Sequence, residues 1–135
     1  MFTGKWVTGL EGADELLNVR NICGLGGADE MDKLSRHAVL LKEGKCVGTG
    51  RLFYGKDGFE IGKVCVLPEY RGQKVGDTLM RMLIWIGFEF GNELYVSADA
   101  ETAGFFKKYG FAETGESGVY KLSKTNYACG CCSHA

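Results

Sequence analysis

One segment of this chain constrains its fold more than any other, because it joins a strand pattern to a helical pattern through a glycine-containing turn. The segment runs from Val64 to Gly76 and has the sequence VCVLPEYRGQKVG. Pro68 ends the strand pattern, since proline cannot donate to a sheet ladder. Beyond the turn, apolar residues recur at helical spacing from Val75 to Phe90. This order of strand, turn and helix predicts an α/β domain.

The turn also carries groups that bind phosphates. Backbone N–H groups at a helix N-terminus have no intrahelical partner and lie at the positive end of the helix dipole. Gly72 and Gly76 let a ligand approach the main chain, and Arg71 and Lys74 add positive charge. Neither the P-loop pattern nor the dinucleotide-binding pattern GxGxxG is present. Taken alone, the turn is equally compatible with a diphosphate cradle and with an ordinary strand-to-helix connection.

The rest of the sequence alternates further strand and helix patterns. Strand patterns cover residues 1–8, 37–41, 46–54, 59–67, 93–97, 111–114 and 119–122, and helical patterns cover 13–23, 75–90 and 101–109. Residues 28–34 predict a short helix or turn, and we expect Trp85 and the methionines of the long helix in the core. A chain of 135 residues suffices for one domain but not for two. We therefore predict one domain over residues 1–124 and a tail over 125–135.

Charge and hydropathy argue against several classes of partner. The chain has 16 Lys and Arg against 17 Asp and Glu, a formal net charge of −1, whereas a general nucleic-acid binder needs a basic surplus. No apolar run approaches the ~20 residues that cross a bilayer. The first ten residues lack the pattern of a secretory signal. We expect a cytoplasmic protein that binds neither nucleic acid nor membrane.

Two blocks of sequence resemble the GNAT superfamily of acetyl-CoA-dependent N-acetyltransferases. The segment from Val64 to Gly76 is similar to the family's V-x-V-x-P-x-[YF]-R-G-x-G-[IV]-G, and AGFFKKYGF from Ala103 to Phe111 is similar to A-x-F-Y-x-[KR]-x-G-F. A hairpin containing VGTGRL, preceded by Glu30, Asp32 and His37, resembles a small bacterial branch. The resemblance implies a single α/β domain with a mixed, mostly antiparallel sheet, two splayed parallel central strands and flanking helices.

The same resemblance implies a site for acetyl-CoA as co-substrate. The pantetheine arm would enter between strands 59–67 and 93–97 and pair with backbone groups as an added strand would. The pyrophosphate would lie on the amides of residues 73–76, and two phenylalanines would line the far wall. The implied binding residues are Val64, Val66, Arg71, Gly72, Gln73, Lys74, Val75, Gly76, Phe105 and Phe106.

The sequence departs from the family pattern at two positions. Lys74 replaces a glycine, which adds charge but fits only if this residue does not need a positive φ. Phe106 stands where many members carry a tyrosine that protonates the departing CoA thiolate. Either Tyr109, Tyr54 or a water then supplies that proton, or the thiolate leaves without a dedicated acid, or activity is low. We also expect Asp77 to face away from the phosphates.

Glu60 is the candidate general base, because it matches a glutamate that has this role in some family members. Strict strand alternation would place Glu60, Gly62, Val64 and Val66 on one face. An amide near Val66 would polarise the thioester carbonyl. A surface carboxylate at a strand end is an equally compatible interpretation of Glu60.

Three further residues have two interpretations each. Glu30 and Asp32 either attract a cationic amine or form a solvated acidic turn. His37 either orients the substrate or is a structural hydrogen-bonding residue, and we favour the structural role.

The six cysteines divide into two groups. Cys23, Cys46 and Cys65 stand singly in apolar segments and predict small buried side chains. The tail brings together Cys129, Cys131, Cys132 and His134, four ligands that would suit zinc or another soft metal. Thiol redox chemistry or a tail with incidental cysteines fits these residues as well.

These observations favour an N-acetyltransferase that moves an acetyl group directly from acetyl-CoA to a primary amine of a small molecule or peptide. Glu60 and Tyr109 are its candidate catalytic residues, and either a monomer or a homodimer is compatible with the sequence. The alternative is a non-catalytic acyl-CoA-binding sensor with a metal- or redox-responsive tail.

Overall fold

Seven strands form one mixed sheet in residues 1–127, the part of the chain that the computed structural model describes. The strand order is β1-β2-β3-β4-β5-β7-β6. In chain order the elements are β1 (Phe2–Thr8), α1 (Asp14–Ile22), β2 (Arg36–Lys42), β3 (Lys45–Tyr54), β4 (Phe59–Val66), α2 (Val75–Phe90), β5 (Glu93–Ser97), α3 (Ala103–Lys107), β6 (Ala112–Glu113) and β7 (Val119–Ser123). Short 3-10 turns cover Glu30–Leu34 and Pro68–Tyr70. The predicted single α/β domain is confirmed. No helix in this part of the chain is long and apolar enough to cross a membrane.

The two central strands β4 and β5 separate soon after they meet. They are parallel and pair at Phe59 with Leu94 and at Glu60 with Tyr95, whereas the neighbouring pairs of strands are antiparallel. Lys63 has a φ of 51°, and the register with β3 advances three residues on β4 against two on β3 at this point. Such a bulge bends a strand and increases its twist. The predicted splay of the central strands is therefore confirmed, with the bulge adjoining the opening.

Glycines let α2 lie very close to the sheet. A Cβ on Gly48 or Gly50 of β3 would come within 2.8 Å of Val75 or 2.7 Å of Leu83 of the helix. The buried face of α2 contains Leu79, Met80, Leu83 and Ile84. Because the helix is held this closely, its N-terminus lies beside the C-terminal end of β4.

The position of Trp85 corrects one expectation. Its side chain is 64% exposed, so the prediction that it lies in the core is wrong. Met80, by contrast, is fully buried, as expected, whereas Met82 is only partly buried against the core. The residues around Trp85 fill the space against the sheet, and the indole is left on the outer surface of α2.

The face of the sheet opposite α2 also lies under a helix, and it holds polar residues. His37 of β2 lies opposite Arg51 of β3, while the next pair along, Ala38 and Gly50, faces α2. Arg20 of α1 contacts His37, which places α1 on the face opposite α2. This layer carries a group of buried charges that the sequence patterns did not predict.

Candidate functional site

A cavity of about 560 Å³ lies at the N-terminal end of α2, and we call it the α2 cavity. It is lined by Val66, Tyr70, Arg71, Gly72, Lys74, Val75, Gly76, Asp77, Arg81, Phe105 and Lys108. A neighbouring cavity of about 370 Å³, the β4 cavity, is lined by Cys23, Leu25, Val64, Cys65, Val66, Arg71, Gly76 and Phe105. Because four lining residues belong to both, the two cavities form one continuous cleft.

The α2 cavity has the properties of an anion site. The first main-chain hydrogen bond of the helix runs from the Thr78 N–H to the Lys74 carbonyl at 3.0 Å. The amides before it have no carbonyl one turn back and can donate to a ligand. Arg71, Arg81 and Lys108 join Lys74 as cations in the lining. A group with several negative charges would be stabilised here.

Lys74 has a positive φ, the conformation that a lysine at this position should avoid. The residue caps α2 with φ 65° and ψ 19°, the left-handed conformation in which a side chain is strained. The condition for an unstrained lysine at this position is therefore not met. The turn has a conformation that favours glycine, and the lysine adopts it at a cost.

The position of Asp77 differs from the expectation that it faces away. Its carboxylate lines the α2 cavity, where it accepts hydrogen bonds from the Tyr109 hydroxyl at 2.6 Å and from Arg81 Nε at 3.0 Å. The Tyr109 hydrogen bond and Arg81 hold the pKa of Asp77 below its ordinary value, although burial opposes them. Burial and the Asp77 carboxylate raise the pKa of Tyr109. The negative charge of Asp77 is thus compensated within the cavity wall.

On its β5 side, β4 has no strand partner at Val66. The Leu67 N–H donates to the Val47 carbonyl of β3 at 2.9 Å, so the polar groups of Val66 point the other way, into the splay. The Val66 carbonyl accepts hydrogen bonds from Arg71 Nε at 3.1 Å and from Cys23 Sγ at 3.4 Å. Both donors are side chains that a ligand could displace from this edge.

The bulge in β4 overturns the expected alternation. Gly62 lies opposite Arg51 and Glu60 opposite Phe53, on the face that α1 covers. Val66 lies opposite Gly48 on the α2 face, and Val64 lies near Gly50 on that same face. Glu60 and Gly62 therefore do not share a face with Val64 and Val66, because the extra residue at the bulge reverses the alternation.

Glu60 lies where β4 and β5 begin to separate. Ser97 of β5 donates a hydrogen bond from Oγ to Glu60 Oε2 at 3.4 Å across the gap. Burial raises the pKa of the Glu60 carboxyl, and the Ser97 hydrogen bond opposes this shift. A half-buried carboxylate with a raised pKa can accept a proton from a bound group.

The other residues implied by the family pattern divide between the cleft and its surroundings. Phe105 lines both cavities, whereas Phe106 is not a lining residue of either and packs edge-on against Phe105 and Phe111. Gln73 also lies outside both linings, and its side-chain amide donates to the Glu69 carbonyl at 3.3 Å.

Sequence reasoning missed four residues in or beside the site. Cys23 and Leu25 form a wall of the β4 cavity, although they lie far from β4 in the sequence. Arg20 and Arg51 were not singled out either, and they surround Asp32, which is fully buried and does not form a solvated turn. An arginine inside the apolar face of a predicted helix was the available signal.

The proposed metal ligands of the tail, Cys129, Cys131, Cys132 and His134, lie outside the described residues. Within residues 1–127, no group of three or more His, Cys, Asp or Glu side chains is placed to hold a metal ion.

The chain is similar to known proteins in sequence and in structure. Residues 33–113, more than half of the chain, match the family model of the acetyltransferase (GNAT) domain. The uncharacterized N-acetyltransferase YjcF of Bacillus subtilis (strain 168) is 32% identical over 85 residues, which make up 62% of this chain and 60% of that protein. The chain thus matches less than two thirds of the length of this relative.

Solved structures share the fold at lower identity. An acyl-CoA N-acyltransferase from Pseudomonas aeruginosa has a TM-score of 0.74 at 20% identity, with 90% of this chain and 97% of that chain covered. Escherichia coli ElaA has a TM-score of 0.73 at 20% identity, with the same coverage of 90% and 97%.

Proposed function

Because the chain belongs to the GNAT acetyltransferase family, we propose that it transfers an acetyl group from acetyl-CoA directly to a primary amine of a small molecule or peptide. The observation that carries this proposal is the free edge of β4 at Val66, which opens beside the cationic turn at the start of α2. A ligand with an extended arm and linked phosphates can use both features at once.

The residues of the cleft fit this co-substrate. The amides of residues 73–76, with Arg71 and Lys74, would hold the diphosphate. The amide and carbonyl of Val66 would pair with the pantetheine arm once Arg71 and Cys23 release that carbonyl. Phe105 would pack along the arm, since its ring lines both cavities. Bound acetyl-CoA supplies an acyl group activated as a thioester.

Glu60 is proposed as the general base for the amine. A protonated amine has no lone pair, so a carboxylate must accept its proton directly or through a water. The raised pKa of Glu60 brings it closer to the working pH, which improves proton transfer. The backbone amide near Val66 is proposed to stabilise the developing oxyanion.

The departing thiolate needs a proton donor. Tyr109 stays a candidate acid, but its hydroxyl donates to Asp77 at 2.6 Å, and its raised pKa makes it a weaker acid. Tyr54 is 68% exposed, which argues against it as an acid that acts within the cleft. We therefore favour a water molecule as the acid.

Two measurements test the proposed function. Calorimetric titration with CoA should show binding, and CoA should raise the melting temperature of the protein. CoA release over a panel of amines should then fall about 10²- to 10⁴-fold in Glu60→Gln, the contribution typical of a general base. The absence of any association with CoA at millimolar concentration would contradict the whole proposal.

A non-catalytic acyl-CoA sensor is the second candidate. Phe106 favours it, because this side chain has no proton to give at a position where many family members carry tyrosine. Tight CoA binding without turnover on any amine would support the sensor.

The cysteine-rich tail has its own test. Metal bound by this segment should co-purify with the full chain and be lost on deletion after Lys124. Equal metal content in both proteins would contradict a zinc or soft-metal site there.

A further inference from the structure

Five charged or titratable side chains form a cluster beneath α1, which we call the Asp32 cluster: Arg20, Asp29, Asp32, His37 and Arg51. Arg20, Asp32 and His37 are 0% exposed. The Asp32 carboxylate is central, since it accepts hydrogen bonds at 2.9 Å from Arg20 Nη1 and from Arg51 Nη1. Asp29 completes the cluster with its N–H, which donates to Asp32 Oδ2 at 2.7 Å, and with Oδ1, which accepts from Arg51 at 2.6 Å.

Stability alone does not account for this cluster. Apolar replacements of buried ion pairs are often neutral or stabilising, because burying charges costs solvation energy. Among the described residues, Arg20 Nε, His37 Nε2 and Arg51 Nε are buried without a hydrogen-bond partner. Each such group costs about 1–3 kcal/mol. The cluster therefore costs free energy that an apolar core would avoid, and this favours a role for the charges beyond stability.

One side of the cluster holds the wall of the β4 cavity. Arg20 lies near the end of α1, and its carbonyl accepts a hydrogen bond from the Leu25 N–H at 2.9 Å. Leu25 and Cys23 line the cavity, and Lys63 of the β4 bulge donates to the Leu25 carbonyl at 3.4 Å. The ion pair between Asp32 and Arg20 therefore fixes the end of α1 from which this wall continues.

The other side of the cluster reaches the strand that carries Glu60. Arg51 lies opposite Gly62, and the next facing residue of β3, Phe53, lies opposite Glu60. The Arg51 guanidinium stacks on the Phe53 ring, 4.7 Å from its centroid. Asp29 and Asp32 hold this guanidinium through Nη1, at 2.6 Å and 2.9 Å.

We propose that Asp32 is a positioning residue for acyl transfer: through Arg20 it holds the Cys23–Leu25 wall, and through Arg51 it fixes the positive charge nearest to Glu60 on β3. This inference rests on the proposed function, because it assigns Glu60 the role of base. Asp32 touches neither cavity and acts through the two arginines.

The charges around Glu60 determine the sign of the expected effects. Burial raises its pKa; Ser97 of β5, Arg51 of β3 and Lys56 of the β3–β4 turn lower it, and Asp57 of that turn raises it. Asp32→Asn leaves the charge of Arg51 less compensated, so the pKa of Glu60 should fall. Arg51→Gln removes that charge, so the pKa of Glu60 should rise.

Titration of the Glu60 carboxyl carbon by NMR tests this proposal without requiring turnover. We expect shifts of about half a pH unit in opposite directions for Asp32→Asn and Arg51→Gln, and the acidic limb of the pH–rate profile should move with them. CoA release should fall about 10- to 100-fold in both variants, since small misplacements of reacting groups have effects of this size. Affinity for CoA should stay within twofold of wild type in Arg51→Gln, which keeps the Arg20–Asp32 pair, and should fall in Asp32→Asn, since the Cys23–Leu25 wall loses that support.

Three further variants make the experiment specific. Compared with Arg51→Gln, Arg51→Lys should restore the wild-type titration of Glu60, because it returns the positive charge. It should not restore the rate of CoA release, because lysine does not reproduce the hydrogen bonds of the guanidinium to Asp29 and Asp32. Asp29→Asn should give a smaller shift in the direction of Asp32→Asn, and it serves if Asp32→Asn does not fold, since Asp29 is 41% exposed. Glu93→Gln, in the exposed pair with Lys121, is the control and should leave rate and titration unchanged.

Two results would overturn the positioning role. One is a shift of the Glu60 pKa in the same direction in Asp32→Asn and in Arg51→Gln. The other is unchanged titration of Glu60 and unchanged rate in a folded Asp32→Asn protein that binds CoA. A wild-type protein that does not bind CoA would instead contradict the proposed function.

Discussion

Lys74 is the residue at which backbone geometry and ligand binding make opposite demands. Its φ of 65° belongs to the left-handed region, which costs a side-chain-bearing residue about 1–2 kcal/mol. The same residue lines the α2 cavity and adds a positive charge to it. We infer that the contribution of this charge to the free energy of ligand binding offsets the folding free energy lost to the strained backbone.

Substitution of Lys74 separates these two effects. Lys74→Gly should raise the free energy of unfolding by about 1 kcal/mol and weaken CoA binding, because it relieves the strain and removes the charge. Lys74→Ala should weaken binding similarly without the gain in stability, since alanine keeps the Cβ. Urea unfolding and calorimetric titration measure both quantities. Equal stability of the two variants would show that Lys74 is not strained.

Tyr109 is a second residue whose role can be decided by one substitution. Because its hydroxyl donates to Asp77 at 2.6 Å, Tyr109→Phe should lower the free energy of unfolding by about 1.5–3 kcal/mol, the range for a hydrogen bond to a charged group. If a water molecule is the acid, CoA release should change less than threefold. The loss of a general acid would instead slow it about 10²-fold or more. A loss of a hundredfold or more would instead identify Tyr109 as the acid for the thiolate.

At the scale of elements, the close approach of α2 to the sheet positions the cleft. Gly87 of α2 lies against Leu94 of β5, and a Cβ at this position would come within 2.5 Å of Leu94 Cδ2. Gly48 and Gly50 make the same approach possible on β3. These contacts set the height of the helix over β4 and β5, and hence the position of its N-terminal amides.

Two helical glycines give a matched test of this packing. Gly87→Ala should destabilise the protein by about 1–3 kcal/mol, because the added methyl group overpacks the contact with Leu94. Gly104→Ala in α3 has nothing within 4 Å of the new Cβ and should be stabilising by about 0.5–1 kcal/mol through helix propensity. Thermal and urea unfolding compare the two, and similar effects would contradict the packing argument.

At the scale of the whole molecule, the buried His37 makes stability depend on pH. Burial and the nearby Arg20 lower its pKa below the ordinary value of 6.5. The unfolded chain therefore binds a proton at a pH where the folded chain does not. Stability is fully present above pH 6.5 and is lost as the pH falls from there through the lower folded pKa.

Substitution of His37 isolates this contribution. Between pH 7.5 and pH 5.5, wild type should lose about 1 kcal/mol of unfolding free energy, since one proton contributes about 1.4 kcal/mol per pH unit. His37→Gln should show a flatter profile whatever its absolute stability. Urea unfolding at three pH values measures the slope, and parallel profiles would contradict the assignment.

Most of the fold follows from local sequence. The alternating segments, the single proline and the helical spacing from Val75 to Phe90 predict the strands and α2 within a few residues. Such patterns record how each segment buries one face, and this is a local property. Trp85 was misplaced because its apolar character indicates burial, whereas only the packed helix shows which positions face outward.

The sequence by itself determined the strand–turn–helix segment and the chemistry of its turn, because glycines, cations and a helix start lie next to one another in the chain. Tertiary structure alone decided the rest of the site. A bulge at Lys63 reverses the alternation of β4 and separates the faces of Glu60 and Val66. Distant segments bring Cys23 to the cleft and enclose Asp32 between two arginines. Register shifts and long-range ion pairs depend on packing between elements, which no local pattern encodes.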